Sequence, residues 1–200
     1  MLYRIENEKV ILRVSIGLKK REEKSRKIYI LLTKFHGFAS KAIRCFTGYR
    51  YSHTSIGLDE DMNTFYSFVN KGFIVEKITR YVKPDRKPFD CQMYELSVTE
   101  KVYRKIKELI QSFIENKSNL RYTTFGTILC ILRIPYKRKE HYFCSYFVAS
   151  VLEKSEAIKL RKKSYMHLPS DFKKYENIKF CYAGNLRTMI DDYKLAVSSA

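Results

Sequence analysis

Two residues of the sequence, Cys144 and His53, could together carry out nucleophilic chemistry on an acyl group. Cys144 lies in His-Tyr-Phe-Cys-Ser-Tyr-Phe-Val-Ala, where the pattern predicts the start of a helix. A thiol at a helix N-terminus lies at the positive end of the helix dipole, which favours the thiolate, and nearby backbone N–H groups can bind an oxyanion. His53, at the start of a predicted strand, could supply an imidazole as general acid.

Both residues also have a structural interpretation. Cys144, Phe147 and Val148 have helical spacing, so Cys144 could be an ordinary buried thiol of the core. A single histidine at the start of a strand is usually structural. His141 and Cys144 could share a metal, but no second pair and no CxxC motif complete a site, so the sequence predicts neither a metal nor a cofactor.

The surrounding pattern predicts an α+β fold with an antiparallel sheet packed against helices. An N-terminal extension, residues 1–27, has a strand predicted at 10–18 and ends in a charged run over 19–27. The main domain follows at 28–200. Alternation and short turns predict six strands, at 28–35, 52–58, 64–69, 73–78, 90–96 and 178–183. Helical spacing and caps predict helices from Phe38 to a stop at Gly48, from a capping box at Ser97, at 123–132, at 143–154 and, briefly, at 169–171.

Several of these segments together resemble a known family. Tyr-Ser-His-Thr-Ser-Ile-Gly-Leu-Asp around His53 precedes Tyr-Phe-Cys-Ser-Tyr-Phe-Val-Ala-Ser-Val-Leu around Cys144, and Pro-Ser-Asp-Phe follows at 169–172. This order resembles the circularly permuted papain-like proteins of the NlpC superfamily, the YiiX-like and lecithin–retinol-acyltransferase-like branch, in which a strand-borne His precedes a helix-borne Cys. The resemblance covers about residues 28–184, and the extension has no counterpart.

The resemblance implies a permuted papain-like fold and a thiol-dependent hydrolase or acyltransferase. Its substrate would be an amide or ester, with a peptide or lipid acyl group carried on Cys144. His53 would be the acid–base residue. The family usually places a polar residue on the strand after this His to orient the ring, and Ser67 is the matching candidate here. A hydroxyl stabilises an imidazolium less than a carboxylate does, so a degenerate, inactive member is the alternative.

Composition limits the partners and the compartment. Lys and Arg number 39 against 21 Asp and Glu, a net charge of +18, which favours an anionic surface or polymer as partner. A non-enzymatic module that binds nucleic acid through this basic surface is therefore a second alternative, although no nucleic-acid motif supports it. The sequence shows no signal peptide and no transmembrane segment, and its five cysteines are an odd number. We therefore expect a cytoplasmic protein with reduced thiols.

Overall fold

The computed structural model of the protein describes residues 25–35, 38–59, 61–81 and 89–198. The strand predicted at 10–18 lies outside the described residues. Eight strands are present in this part of the chain: β1 (Ser25–Thr33), β2 (His53–Leu58), β3 (Thr64–Val69), β4 (Gly72–Lys77), β5 (Asp90–Thr99), β6 (Arg121–Tyr122), β7 (His141–Tyr142) and β8 (Ile178–Asn185). Five α-helices accompany them: α1 (Phe38–Thr47), α2 (Glu100–Glu115), α3 (Thr124–Ile131), α4 (Cys144–Lys154) and α5 (Leu186–Ser198).

Six of the strands form one antiparallel sheet in the order β4-β3-β2-β1-β5-β8. β1 lies in its interior, where Thr33 is opposite His53 on one side and Cys91 on the other. β6 and β7 form a separate two-stranded parallel pair. The predicted α+β class, with an antiparallel sheet packed against helices, is confirmed.

The first strand begins earlier than the predicted domain boundary at residue 28. Ser25–Lys27 belong to β1 and pair with the end of β5, so they are part of the sheet. Arg26 forms a two-point ion pair with Asp59, with Nε–Oδ2 and Nη2–Oδ1 distances of 3.0 and 2.8 Å. Its guanidinium also lies 4.0 Å from the centre of the Tyr103 ring. The charged run therefore ends as a strand that is anchored in the sheet.

The N-terminus of α2 also differs from the prediction. The predicted capping box began at Ser97, but β5 continues to Thr99, which is paired with Ser25 of β1. Thr99 is the N-cap, and its side chain accepts a hydrogen bond from the Val102 N–H. The helix begins two residues later than predicted, because pairing with β1 extends the strand.

Helices cover both faces of the sheet. On one face α2 and α4 pack on a large apolar core that includes Ile30, Ile56, Phe68, Tyr94, Ile106 and Phe147. On the other face Leu186, Met189 and Ile190 of α5, a helix that the sequence analysis did not predict, contact a smaller cluster around Leu31, Phe65 and Met93. None of the helices in the described ranges is long and apolar enough to cross a membrane.

Candidate active site

Cys144 is the first residue of α4, and its main chain is held from two directions. The preceding segment is fixed by the β6–β7 pair, in which the Thr123 N–H donates to the Tyr142 carbonyl at 3.0 Å. On the other side Ser145 Oγ donates to the His167 carbonyl at 2.6 Å. The N-cap, Phe143, has extended backbone angles and forms no side-chain cap, so its side chain does not occupy the N–H groups at the start of the helix.

The segment around His167, whose carbonyl accepts the hydrogen bond from Ser145, is itself held by hydrogen bonds. The ring of His167 donates from Nδ1 to the Lys163 carbonyl at 3.0 Å and accepts at Nε2 from the Tyr175 hydroxyl at 2.7 Å. Burial lowers the pKa of His167, in keeping with this neutral ring. Asp171 accepts from the Leu168 N–H at 2.8 Å. The Pro-Ser-Asp-Phe segment thus forms the predicted short helix, and the contacts around it support the start of α4.

His53 is the first residue of β2 and lies between Glu76 and Cys144. Its Nε2 donates to Oε1 of Glu76 at 2.8 Å, and the Cys144 side chain is close enough to the ring to raise the pKa of the imidazole. Because Glu76 occupies Nε2, Nδ1 is the ring nitrogen that remains for the thiol. Phe35 stacks on the imidazole, with ring centres 4.3 Å apart and an angle of 20° between the planes. The ring is therefore fixed in position and in orientation.

Burial and charge act in opposite directions on His53. His53 and Glu76 are each only 4% exposed, and this burial by itself lowers the pKa of the imidazole. The nearby Glu76 carboxylate and the hydrogen bonds to Cys144 and Glu76 outweigh the burial, and together they raise the pKa of His53 to about 10. At neutral pH the ring is therefore a cation that can donate a proton.

The side chain of Ser67 does not have the orienting role expected from the sequence. Its Oγ donates to the Thr54 carbonyl at 2.6 Å, and the partner of His53 is Glu76, on β4. A carboxylate stabilises an imidazolium far better than a hydroxyl would. The sequence contained a signal for Glu76: it is an acidic residue following the apolar run Phe73-Ile74-Val75, and a carboxylate in such a strand needs a partner.

A pocket of about 520 Å³ borders the His53 and Cys144 side chains. Tyr122 and Ser52 are also in its wall. Burial, with a smaller contribution from the nearby Cys144, raises the pKa of Tyr122 to about 12, so its phenol stays protonated. Ser52 Oγ is buried and has no hydrogen-bond partner among the described residues. The pocket therefore holds a thiol, an imidazolium and hydroxyl groups at one surface.

The remaining cysteines lack these surroundings. All five cysteines are free. Cys91 and Cys130 are buried, and burial raises the pKa of each thiol to about 12. Cys45 and Cys181 are exposed. In the described part of the chain, no group of three His, Cys, Asp or Glu side chains could hold a metal ion.

Comparisons with known proteins do not assign the chain to a family. No family model matches its sequence, and no curated protein matches it significantly.

Proposed function

We propose that the protein is a thiol-dependent hydrolase or acyltransferase that acts on an amide or ester through an acyl-enzyme on Cys144. The observation that carries the proposal is the buried hydrogen bond from His53 to Glu76 beside a pocket that His53 and Cys144 both line. The three side chains supply a nucleophile, an acid–base group and an orienting carboxylate. This combination recurs in acyl-transfer enzymes of unrelated folds.

In the first step Cys144 Sγ attacks the acyl carbon as a thiolate, and the C=O electron pair moves to oxygen. Backbone N–H groups at the start of α4 and the hydroxyl of Ser52 stabilise this oxyanion. When the C=O bond re-forms, the amine or alcohol leaves with the proton of His53. In the second step neutral His53 removes a proton from water or an acceptor, which attacks the thioester and releases Cys144.

The proposal extends to the permuted papain-like fold. Its support is the order of a strand-borne His53 before a helix-borne Cys144, and the packing of α4 against β2 and β3. Glu76 is a polar orienting residue of the kind that the resemblance implies, although it lies one strand further along. The main reason to expect an inactive member of the family was that a hydroxyl, Ser67, would stabilise the imidazolium poorly. With the Glu76 carboxylate as the partner of His53, that reason no longer applies.

The mechanism requires a reduced thiol, so the proposal includes a reducing compartment such as the cytoplasm. Substrates remain the peptide or lipid acyl groups of the resemblance. The pocket is large enough for an extended acyl chain or a short peptide, and both its apolar and its polar residues would contact substrate.

Mass spectrometry of the intact protein after incubation with activated esters and thioesters tests the proposal. A Cys45→Ser, Cys181→Ser variant serves as the starting protein, because both of these cysteines are exposed and would add background labelling. We expect one acyl group on Cys144, and none in Cys144→Ser or His53→Ala. Ser67→Ala is the matched control and should be acylated normally. If no donor acylates the starting protein, the enzyme proposal is wrong and the inactive binding module takes its place.

A further inference from the structure

Five large apolar side chains are exposed beside the pocket, on α1, on α3 and among the three residues that follow α3. Their exposed fractions are 74% for Phe46, 59% for Phe125, 49% for Ile128, 56% for Leu132 and 48% for Ile134. Single exposed apolar residues are ordinary, but a cluster of them marks a binding surface. We call these five residues the apolar rim.

The fold brings the apolar rim together at the edge of the pocket. Phe125, Ile128 and Leu132 are spaced by three and four residues and so lie on one face of α3 and its C-cap. Phe46 lies on α1, which contacts α3. Both helices also line the pocket, α1 through Ser40 and Ile43 and α3 through Thr124, the residue before Phe125.

Positive charge borders the apolar rim. Five basic residues occur between positions 121 and 141 against a single acidic residue, Glu140. Four of the five follow α3 closely and are exposed: Arg133, Lys137, Arg138 and Lys139. We call these four the basic border. Lys139 lies 3.7 Å from Glu140, whereas the other three form no ion pair with any residue that the structure describes.

We propose that the apolar rim and the basic border dock on an anionic lipid bilayer. Bulk charge alone favours any polyanion, but exposed isoleucine and leucine side chains gain free energy only where water is excluded. The boundary between lipid headgroups and acyl chains offers that environment and presents negative charge at the same surface. The Tyr136 ring contacts Phe125 edge-on, with ring centres 5.2 Å apart, so a neighbour positions the exposed Phe125 ring.

Two other partners fit the surface less well. Single-stranded nucleic acid would use flat aromatic side chains for stacking, and three of the five rim residues are aliphatic. A second copy of the chain would bring the two basic borders together, and repulsion between them opposes that contact. Charge and apolar character together therefore favour lipid.

Docking does not depend on the proposed acyl chemistry, because the rim and border lie outside the contacts of Cys144, His53 and Glu76. The two proposals can therefore fail separately. If both hold, the pocket lies at the membrane surface when the protein is docked.

Vesicle sedimentation tests the inference with the full chain. The probes are vesicles of phosphatidylcholine alone and of phosphatidylcholine mixed with phosphatidylserine. We expect binding to the mixed vesicles, and weaker binding at high salt. Phe125→Ala combined with Leu132→Ala should weaken binding by about 100-fold, since two inserted side chains are lost. Substituting Gln for Arg133, Lys137 and Arg138 together should weaken it by a similar factor of about 100.

The control replaces three exposed basic residues elsewhere, Lys101, Arg104 and Lys159, with Gln, and this variant should bind like the wild type. Circular dichroism shows whether each variant is folded, and every substituted side chain is exposed. Equal losses in the border and control variants would overturn the inference, as would unchanged binding after the two rim substitutions. Tighter binding to a single-stranded oligonucleotide than to mixed vesicles would also overturn it. So would a wild-type dimer that dissociates when Phe125→Ala and Leu132→Ala are introduced together.

Discussion

Glu76 Oε1 lies 2.8 Å from His53 Nε2, although β3 lies between the strands that carry these two residues. Both side chains are almost fully buried. A buried carboxylate and a buried imidazole are each costly alone, and they are tolerated because each is the other's partner. The pair therefore determines the charge state of the ring beside Cys144, which leads to direct tests.

Replacing Glu76 with Gln should lower the pKa of His53 from its raised value of about 10. Without the carboxylate, burial disfavours the cation and only the neighbouring Cys144 still opposes that effect. NMR titration of the ring measures this, and the spectrum is simple because the chain has only four histidines. Ser67→Ala is the control and should leave the titration unchanged, since its hydroxyl bonds to Thr54. The same pKa in Glu76→Gln and wild type would contradict the assignment of Glu76.

The rate of acyl transfer should depend on the same residues in a defined order. Cys144→Ala and His53→Ala should each abolish nearly all activity, because members of one catalytic unit are not additive. Glu76→Gln should lower the rate by about 10- to 100-fold, the value of a hydrogen bond to a charged group. Ser67→Ala should change it by no more than about fivefold. Single-turnover kinetics with an activated ester provides the comparison, and a larger loss for Ser67→Ala than for Glu76→Gln would reverse the assignment.

Ser52→Ala separates a role in catalysis from a role in stability. The buried hydroxyl has no partner among the described residues, so its removal should leave the thermal midpoint unchanged or raise it. If the hydroxyl stabilises the oxyanion, the acylation rate should fall by about 5- to 100-fold. Differential scanning calorimetry and single-turnover kinetics measure the two effects. A lower midpoint with an unchanged rate would show that Ser52 is only structural.

The free energy of unfolding should depend on pH, because the pKa of His53 is raised in the folded state. Because the ring binds its proton more tightly in the folded state, this contribution is fully present below about pH 6.5 and is lost as pH rises through about 10. The free energy of unfolding of the wild type, relative to that of His53→Gln, should therefore decrease across this range. Urea unfolding at a series of pH values measures the difference. A difference that stays constant from pH 6.5 to 10 would contradict a raised pKa.

The thiols should differ in their reactivity toward iodoacetamide. In a Cys45→Ser, Cys181→Ser background, Cys144 should be alkylated faster near neutral pH than Cys91 or Cys130, because burial raises the pKa of the latter two to about 12. Adding His53→Ala should slow the labelling of Cys144 and leave the other two unaffected. Peptide mapping by mass spectrometry gives the rates. Equal rates for all three thiols would instead support an ordinary core role for Cys144.

Local pattern was sufficient for much of the fold. The apolar alternation at 64–69 predicted β3 with its observed bounds, and the helix predicted at 143–154 begins within one residue of α4. The stop at Gly48 was likewise correct, because a residue with a φ of 64° there ends α1. Each of these features depends on neighbours in the chain, so periodicity and caps determine it.

Only the tertiary structure decided which side chain meets His53. The sequence placed Cys144 and His53 at the starts of a helix and a strand, but the partner Glu76 is 23 residues from His53 and lies on a strand that is not adjacent to β2. Strand order and register determine such a contact, and neither leaves a local pattern. The same reason explains why Ser67, which is nearer in sequence, was expected and why its hydroxyl instead binds the main chain of the neighbouring strand.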